Sequence, residues 1–224
     1  PKIISMSTGI ITCNQYLSES YVKRYTGLPV EVIHTPIDTD RFSPAPVPIS
    51  NDPVLLGWIG SPTTAVYLES IIPWLESLYG EIPFHLKIIG ANRQIESNCI
   101  PIIQRNWEYE TEVDEFRSLD IGLYPLPDND WIKGKTGFKP IQYMAVGIPC
   151  VCSALGSNLT IIKDGWNGFL ASNETEWKTK LGCLIRNPEL CREMGRRGRE
   201  CAVREYSVYA NAEKFLKVIE SVMS

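Results

Sequence analysis

Lys133-Gly134-Lys135-Thr136-Gly137-Phe138-Lys139-Pro140 packs three lysines and two glycines into eight residues, directly ahead of a helix-forming run. Pro140 suits the first position of a helix, and a proline pushes the residue before it, Lys139, toward an extended conformation. The helix is therefore expected over 140–146, with the free amides of Ile141 and Gln142 at its positive end. Lysines beside a helix N-terminus make an anion site, suited to phosphate or diphosphate. The alternative, a solvated basic loop, is the less favoured reading because the run follows a strand end.

Two further segments resemble this one in kind. Gly57-Trp58-Ile59-Gly60-Ser61-Pro62-Thr63-Thr64 closes an apolar run and opens a helix. Gly60 lets backbone approach a ligand closely, and Ser61, Thr63 and Thr64 offer hydroxyls, as α/β proteins do for phosphates. The alternative is a Gly-Ser-Pro turn with a threonine cap. Gly156-Ser157-Asn158 repeats the design ahead of a helical turn over 159–162, where Asn158 also reads as a plain cap. Neither GxGxxG nor GxxxxGK[ST] occurs, so the dinucleotide fingerprint and the P-loop are absent.

The carboxylates and cysteines say less. Asp38-Thr39-Asp40 has the spacing of a metal-binding pair, but it heads a proline-rich stretch, where turn and cap duty is favoured. Asp128-Asn129-Asp130 would suit a hard cation or a plain polar loop. His34 and His85 have no nucleophile at a recognisable spacing. Seven cysteines without a CxxC pair, beside two histidines, argue against zinc and for reduced thiols in a cytoplasmic protein. Cys150 and Cys152 fall in one apolar strand, which is expected to send them to opposite faces. The five arginines of 192–204 alternate with Glu193 and Glu200, as on a solvated helix face.

These loops are held by alternating strands and helices. A short apolar run at 10–13 precedes Asn14, which caps a helix to about Tyr25, ended by Gly27 and Pro29. A strand follows at 30–34, then an extended connector carrying Pro36, Pro44, Pro46, Pro48 and Pro53. Strands are expected at 54–60, 84–90, 100–104, 121–126 and 150–154. Helices are expected at 64–79, 110–119 and 140–146, with a loop at 127–139. The tail is helical from about Thr175, with breaks near 195–198 and 206–207. This is an α/β, Rossmann-like, doubly wound parallel sheet. Ligands of such sheets bind beyond the carboxyl ends of the strands, here after Gly60, Gly90, Leu126 and Ala154.

With 44% hydrophobic and 21% charged residues, 224 residues can bury a core without staples, as one large or two small domains. A net charge of −4 argues against a general nucleic-acid binder, yet leaves room for one basic pocket. No apolar run approaches a bilayer span. The chain opens on Pro1 without a signal peptide or an initiator Met, and is expected to be a piece of a longer protein.

Four segments carry a resemblance. FKPIQYMAVGIPCV at 138–151 resembles the EAMA-x-G-x-P-V-V region of glycosyltransferase family 4, and IKDGWNGFL at 162–170 resembles its I-x-D-G-x-N-G-F-L. DIGLYPL at 120–126 looks like its aspartate–strand–proline segment, and IDTDRF at 37–42 like its G-V-D-x-x-x-F linker. Order and spacing agree over roughly residues 8–224. The resemblance implies a GT-B architecture of two Rossmann-like domains facing a cleft. Residues 1–45 would be the end of the acceptor domain plus linker, 46–205 the donor domain, and 206–224 a crossover helix.

It further implies retaining transfer of a sugar from a nucleotide-sugar to a glycan, lipid or other acceptor, in polysaccharide or glycoconjugate synthesis. No metal or other cofactor and no nucleic acid are implied. The acceptor would be held by the amino-terminal domain. The setting would be cytoplasmic, with peripheral contact to the inner membrane face. Lys135 and Lys139 would carry catalysis by neutralising the leaving diphosphate. Gly60, Ser61, Lys133, Thr136, Gly137, Phe138, Gln142, Gly156, Ser157 and Asn158 would bind the donor, Gln142 at the ribose. The chain departs from the family pattern at four places: its two motif glutamates fall on Gly134 and Gln142, an arginine on Ser61, and a further glutamate on Thr160. These losses keep a non-catalytic nucleotide-binding or protein-interaction module in view. A nucleotide-sugar epimerase shares the fold but would need acidic and basic residues that the expected cleft segments do not offer.

Overall fold

The computed structural model describes residues 3–22, 27–46 and 51–223. After a 3-10 turn at Ile4–Met6, a two-stranded parallel sheet forms from β1 (Ile10–Thr12) and β2 (Val30–Val32). Between them Asn14 caps α1 (Gln15–Leu17), its Oδ1 accepting from the Leu17 amide at 2.8 Å. A π-helical turn, Ser18–Val22, continues it. The expected helix over 23–25 lies outside the described residues, as does Pro48.

The connector is turned rather than extended at 37–42. Asp38 Oδ1 accepts from the amides of Asp40 and Arg41, both at 3.0 Å, which is turn duty. Ile37 and Phe42 are buried, and Phe42 meets Phe116 edge-on at 5.9 Å.

Six parallel strands follow: β3 (Leu55–Ile59), β4 (His85–Ile89), β5 (Ile102–Arg105), β6 (Ile121–Tyr124), β7 (Cys150–Ser153) and β8 (Phe169–Ala171). Their order is β5-β4-β3-β6-β7-β8, so the sheet reverses direction of growth between β3 and β6. Every residue of β3 and β7 is buried, as expected of strands covered on both faces. Alternation sorts their side chains between two cores. Leu56, Trp58, Leu86, Ile88, Ile121, Leu123 and Val151 enter one. Leu55, Ile59, Ile89, Cys150 and Cys152 enter the other. The two cysteines therefore share a face, correcting the expectation above: residues two apart on a strand point the same way, and their sulfurs lie 3.5 Å apart.

The helices are α2 (Ala65–Glu69), α3 (Ile72–Tyr79), α4 (Glu112–Arg117), α5 (Asp130–Lys133), α6 (Phe138–Ala145), α7 (Asn158–Ile161), α8 (Glu174–Arg186), α9 (Pro188–Cys201) and α10 (Val208–Met223). The single helix expected at 64–79 breaks at Ser70-Ile71 because Pro73, in the first turn of α3, has no amide to continue the ladder. The loop expected at 127–139 contains α5, capped by Asn129. The tail breaks at Asn187-Pro188, not at 195–198, and again at Ser207 as expected. Gly195 and Gly198 lie inside α9 as points of close approach: a Cβ on Gly195 would sit 2.0 Å from the Gly147 carbonyl oxygen. The exposed arginines of α9 pair within the helix, Arg192 with Glu189 and Arg196 with Glu193 and Glu200.

Helix α6 is fastened to the sheet by Tyr143, which is fully buried. Its hydroxyl lies 3.2 Å from the Gly57 carbonyl and 3.3 Å from that of Leu123, and donates to the pair. Its ring covers Gly122, where a Cβ would sit 2.6 Å from ring carbons. The helix that follows the lysine run is thus seated across β3 and β6, the two strands flanking the reversal.

Candidate active site

A cleft of about 520 Å³ opens at the carboxyl edge of the sheet, lined by residues at the ends of β3 and β6. This is where an open parallel sheet offers space for a ligand. Its β3 wall is Gly60 and Ser61. A Cβ on Gly60 would meet the Trp58 ring at 2.2 Å, so only glycine fits. The Ser61 hydroxyl lies 3.0 Å from that of Thr63 and 3.1 Å from that of Thr64, a small exposed cluster. Gly90, with φ +82°, brings the end of β4 against Gly60. Trp107, about half exposed, lines the side toward β5.

The lysine run enters from the β6 side. Gly137 adopts φ +67° and turns the chain into α6 two residues earlier than expected. Lys139 is therefore helical, and Pro140 sits third in the first turn, where a missing amide is harmless. The amides left without a partner inside the helix are those of Gly137, Phe138 and Lys139, rather than Ile141 and Gln142. A Cβ on Gly137 would lie 2.4 Å from Ile161 Cδ1, a second reason for glycine.

Lys135 and Lys139 both line the cleft. The Lys139 ammonium lies 5.1 Å from the Phe116 ring centroid, and that of Lys135 lies 5.3 Å from the Tyr67 ring centroid. Burial lowers the Lys139 pKa to about 8, against the opposing pull of Glu112, and burial also lowers that of Lys135. These are partly desolvated cations without a hydrogen bond or ion pair among the described residues. Lys133 behaves differently. Its amine pairs with Asp128 at 3.3 Å and Asp130 at 3.4 Å, which raises its pKa.

The other expected site residues stand behind the cleft wall. Gln142 is 2% exposed, and its Nε2 donates to Glu112 Oε1 at 3.2 Å, leaving its own Oε1 without a partner. Ser157 Oγ donates to the Lys135 carbonyl at 2.6 Å. Asn158 is buried inside α7, donating to the Ser153 carbonyl at 2.9 Å, and does not cap; Ser157 holds that position. Gly156 takes φ +55° with Lys133 Cα 3.2 Å from its would-be Cβ. Phe138 packs against the second core, and Thr136 is half-buried.

The sequence reading passed over Glu112 and Trp107, and took Asn14 only as a helix cap. Glu112, 8% exposed, is a carboxylate in the cleft wall, ion-paired to Arg41 at 3.3 Å. An aromatic just past a strand end was the only local signal for Trp107. For Glu112 there was none, and for Asn14 the signal was that of a helix cap alone.

The parallel sheet with helices on both faces is a Rossmann-like domain of the kind found in GT-B glycosyltransferases. Residues 109–201, which carry Glu112, Lys135, Lys139 and Gln142, match the family model of glycosyl transferases group 1. The chain is similar to trehalose synthase of Pyrococcus horikoshii, 28% identical over 86 residues, covering 38% of this chain and 21% of that protein. It is also similar to the putative glycosyltransferase EpsD of Bacillus subtilis, 29% identical over 94 residues, covering 41% and 24%. The match thus spans less than a quarter of the length of either relative. Among solved structures, sucrose-phosphate synthase from Thermosynechococcus elongatus superposes with a TM-score of 0.76 at 14% identity, over 99% of this chain and 60% of that one. Anabaena HepE in complex with UDP and glucose superposes with 0.75 at 13% identity, over 96% and 63%. No helix among the described residues is long and apolar enough to cross a membrane.

Proposed function

We propose that this chain is the nucleotide-sugar-binding portion of a retaining glycosyltransferase. The observation that carries the reading is that Lys135 and Lys139, with no side-chain ion pair among the described residues, both line the cleft beside the start of α6. When a sugar leaves a nucleotide, negative charge develops on the diphosphate. Cations already desolvated and held in place stabilise that charge without reorganisation. Two ammonium groups supply positive charge that a metal would otherwise bring, so we assign no resident metal. The leaving phosphate can itself take the acceptor proton, so no general base is asked of this chain.

Gly60 and Ser61 supply close backbone and hydroxyl contacts to the donor. Glu112 accepts from hydroxyl groups of the ribose or the sugar, and Gln142 acts through it. Trp107 offers its exposed ring to the base. The acceptor, a glycan or lipid-linked sugar, is assigned to a further domain, because the similar structures are longer than this chain. Residues 1–45 belong with that domain in this reading, and 206–224 cross back to it. The chain alone is then expected to bind donor without transferring sugar.

Calorimetric titration with UDP, GDP, ADP and CMP tests the reading. One nucleotide should bind saturably, and Lys139→Ala should weaken it about 10–100-fold, the usual worth of a charged hydrogen bond. If the folded chain binds none of the four, the reading fails. A second reading, a non-catalytic module, is favoured by the absence of a carboxylate at Gly134 and Gln142. Sugar transfer by the whole gene product would rule it out.

A further inference from the structure

Lys135 reaches the cleft from a short loop between α5 and α6 whose backbone carbonyls are held from outside the sheet. Asn14 Nδ2 lies 2.9 Å from the Lys135 carbonyl, 3.2 Å from that of Lys133 and 3.1 Å from Ser157 Oγ. Ser157 Oγ donates in turn to the Lys135 carbonyl at 2.6 Å. Asn14 is 3% exposed, so these bonds form away from competing water. Its orientation is fixed from the other side, because Oδ1 accepts from the Leu17 amide as the cap of α1. A residue that must accept on one side and donate to two carbonyls on the other has to be an amide; an aspartate there would face both carbonyls with negative charge. Leu17 adds packing, lying 3.2 Å from where a Cβ on Gly134 would sit.

We propose that Asn14 is a positioning residue for Lys135, so that the segment around α1 sets the geometry of the diphosphate site from a distance. The proposal rests on the assignment of Lys135 as a diphosphate ligand. Asn14 does not line the cleft and touches no ligand there; it acts through the 133–135 backbone. The anion site is then a joint product of the Rossmann-like sheet and the small β1–β2 unit.

The test is calorimetric titration of the 224-residue chain with inorganic pyrophosphate. Wild type, Asn14→Ala, Asn14→Asp, Lys135→Met and the Asn14→Ala/Lys135→Met pair are compared, with circular dichroism as the control for folding. Asn14→Ala should weaken Kd about tenfold, and should have no further effect once Lys135 is gone. Asn14→Asp should be weakened at pH 8 and return toward wild type by pH 5, taking the ratio of Kd values at each pH. A protonated carboxyl can again donate to a carbonyl. A purely structural role would lower the melting temperature while leaving the ratio at one and flat with pH, and that result overturns the proposal. Should the Asn14 variants not fold, Ser157→Ala removes one donor to the same carbonyl and should weaken Kd severalfold; an unchanged Kd counts against the proposal. A folded wild type that binds no pyrophosphate fails the functional reading itself, which separates the two failures.

Discussion

Gln142 donates its side-chain amide to Glu112 across 3.2 Å, and of the two it is Glu112 that reaches the cleft. The carboxylate available to a ligand comes from α4, while the residue on α6 holds it.

Restoring a carboxylate on α6 should therefore do harm. Gln142→Glu places two buried carboxyl groups at hydrogen-bond distance, and one must keep a proton. Its pKa is raised in the folded state above the unfolded value. Stability is thus highest below the unfolded pKa and is lost as pH rises through the folded one. Urea titrations at pH 5 and pH 8 should show the variant closer to wild type at pH 5. A variant as stable as wild type at pH 8 would contradict the geometry.

Lys139 should be a cost to stability that function requires. Burial lowers its folded pKa to about 8, below that of a free lysine. Between those two values the folded chain binds fewer protons than the unfolded one, so this residue makes stability rise with pH across that window. Lys139→Met should raise stability at pH 7 by roughly 1 kcal/mol, because an unpaired buried charge is exchanged for an apolar side chain of similar length, and should weaken pyrophosphate binding about 10–100-fold. In wild type, affinity for pyrophosphate should decline above about pH 8 as the free amine loses its proton. Thermal melts and calorimetry across pH 6–10 read both effects.

Lys133 should matter least of the three lysines. Its charge is already met by Asp128 and Asp130 in solvent. Lys133→Ala should leave nucleotide Kd within about twofold of wild type, since exposed pairs contribute little. A tenfold loss would mean that Lys133 leaves its aspartates for the ligand.

Trp107 should separate base from phosphate. Trp107→Ala is expected to weaken a nucleoside diphosphate about tenfold or more, the scale of one base–aromatic stack, and to leave pyrophosphate unchanged. Equal losses for both ligands would place the ring elsewhere in recognition.

Much of the sheet was legible because its strands are short apolar runs bounded by glycine and proline. Run 54–60 became β3 and run 150–154 became β7 with only end corrections. The lysine run and the Gly60 turn were legible because their residue types are unusual beside a helix start. The finer placement was not. Pro73 splits a helix whose apolar pattern runs on, and Gly137 starts α6 by a positive φ that no residue type dictates. Asn14 shows the limit most clearly: as a cap it was readable from neighbours, but its other partners lie 119 to 143 residues further along the chain. Glu112 likewise meets Gln142 thirty residues away, across two elements.

Arg199 donates to the carbonyls of Thr39 and Phe42 at 2.9 and 2.6 Å, and to that of Ala145 at 2.8 Å. It is a strut: the connector and the last residue of α6 are bolted to one guanidinium. Helix α6 is about 12 Å long at 1.5 Å per residue, with Lys139 near the end opposite Ala145. One side chain thus ties residues 39–42 to the end of α6 opposite Lys139, in addition to the hold that Tyr143 gives that helix on the sheet.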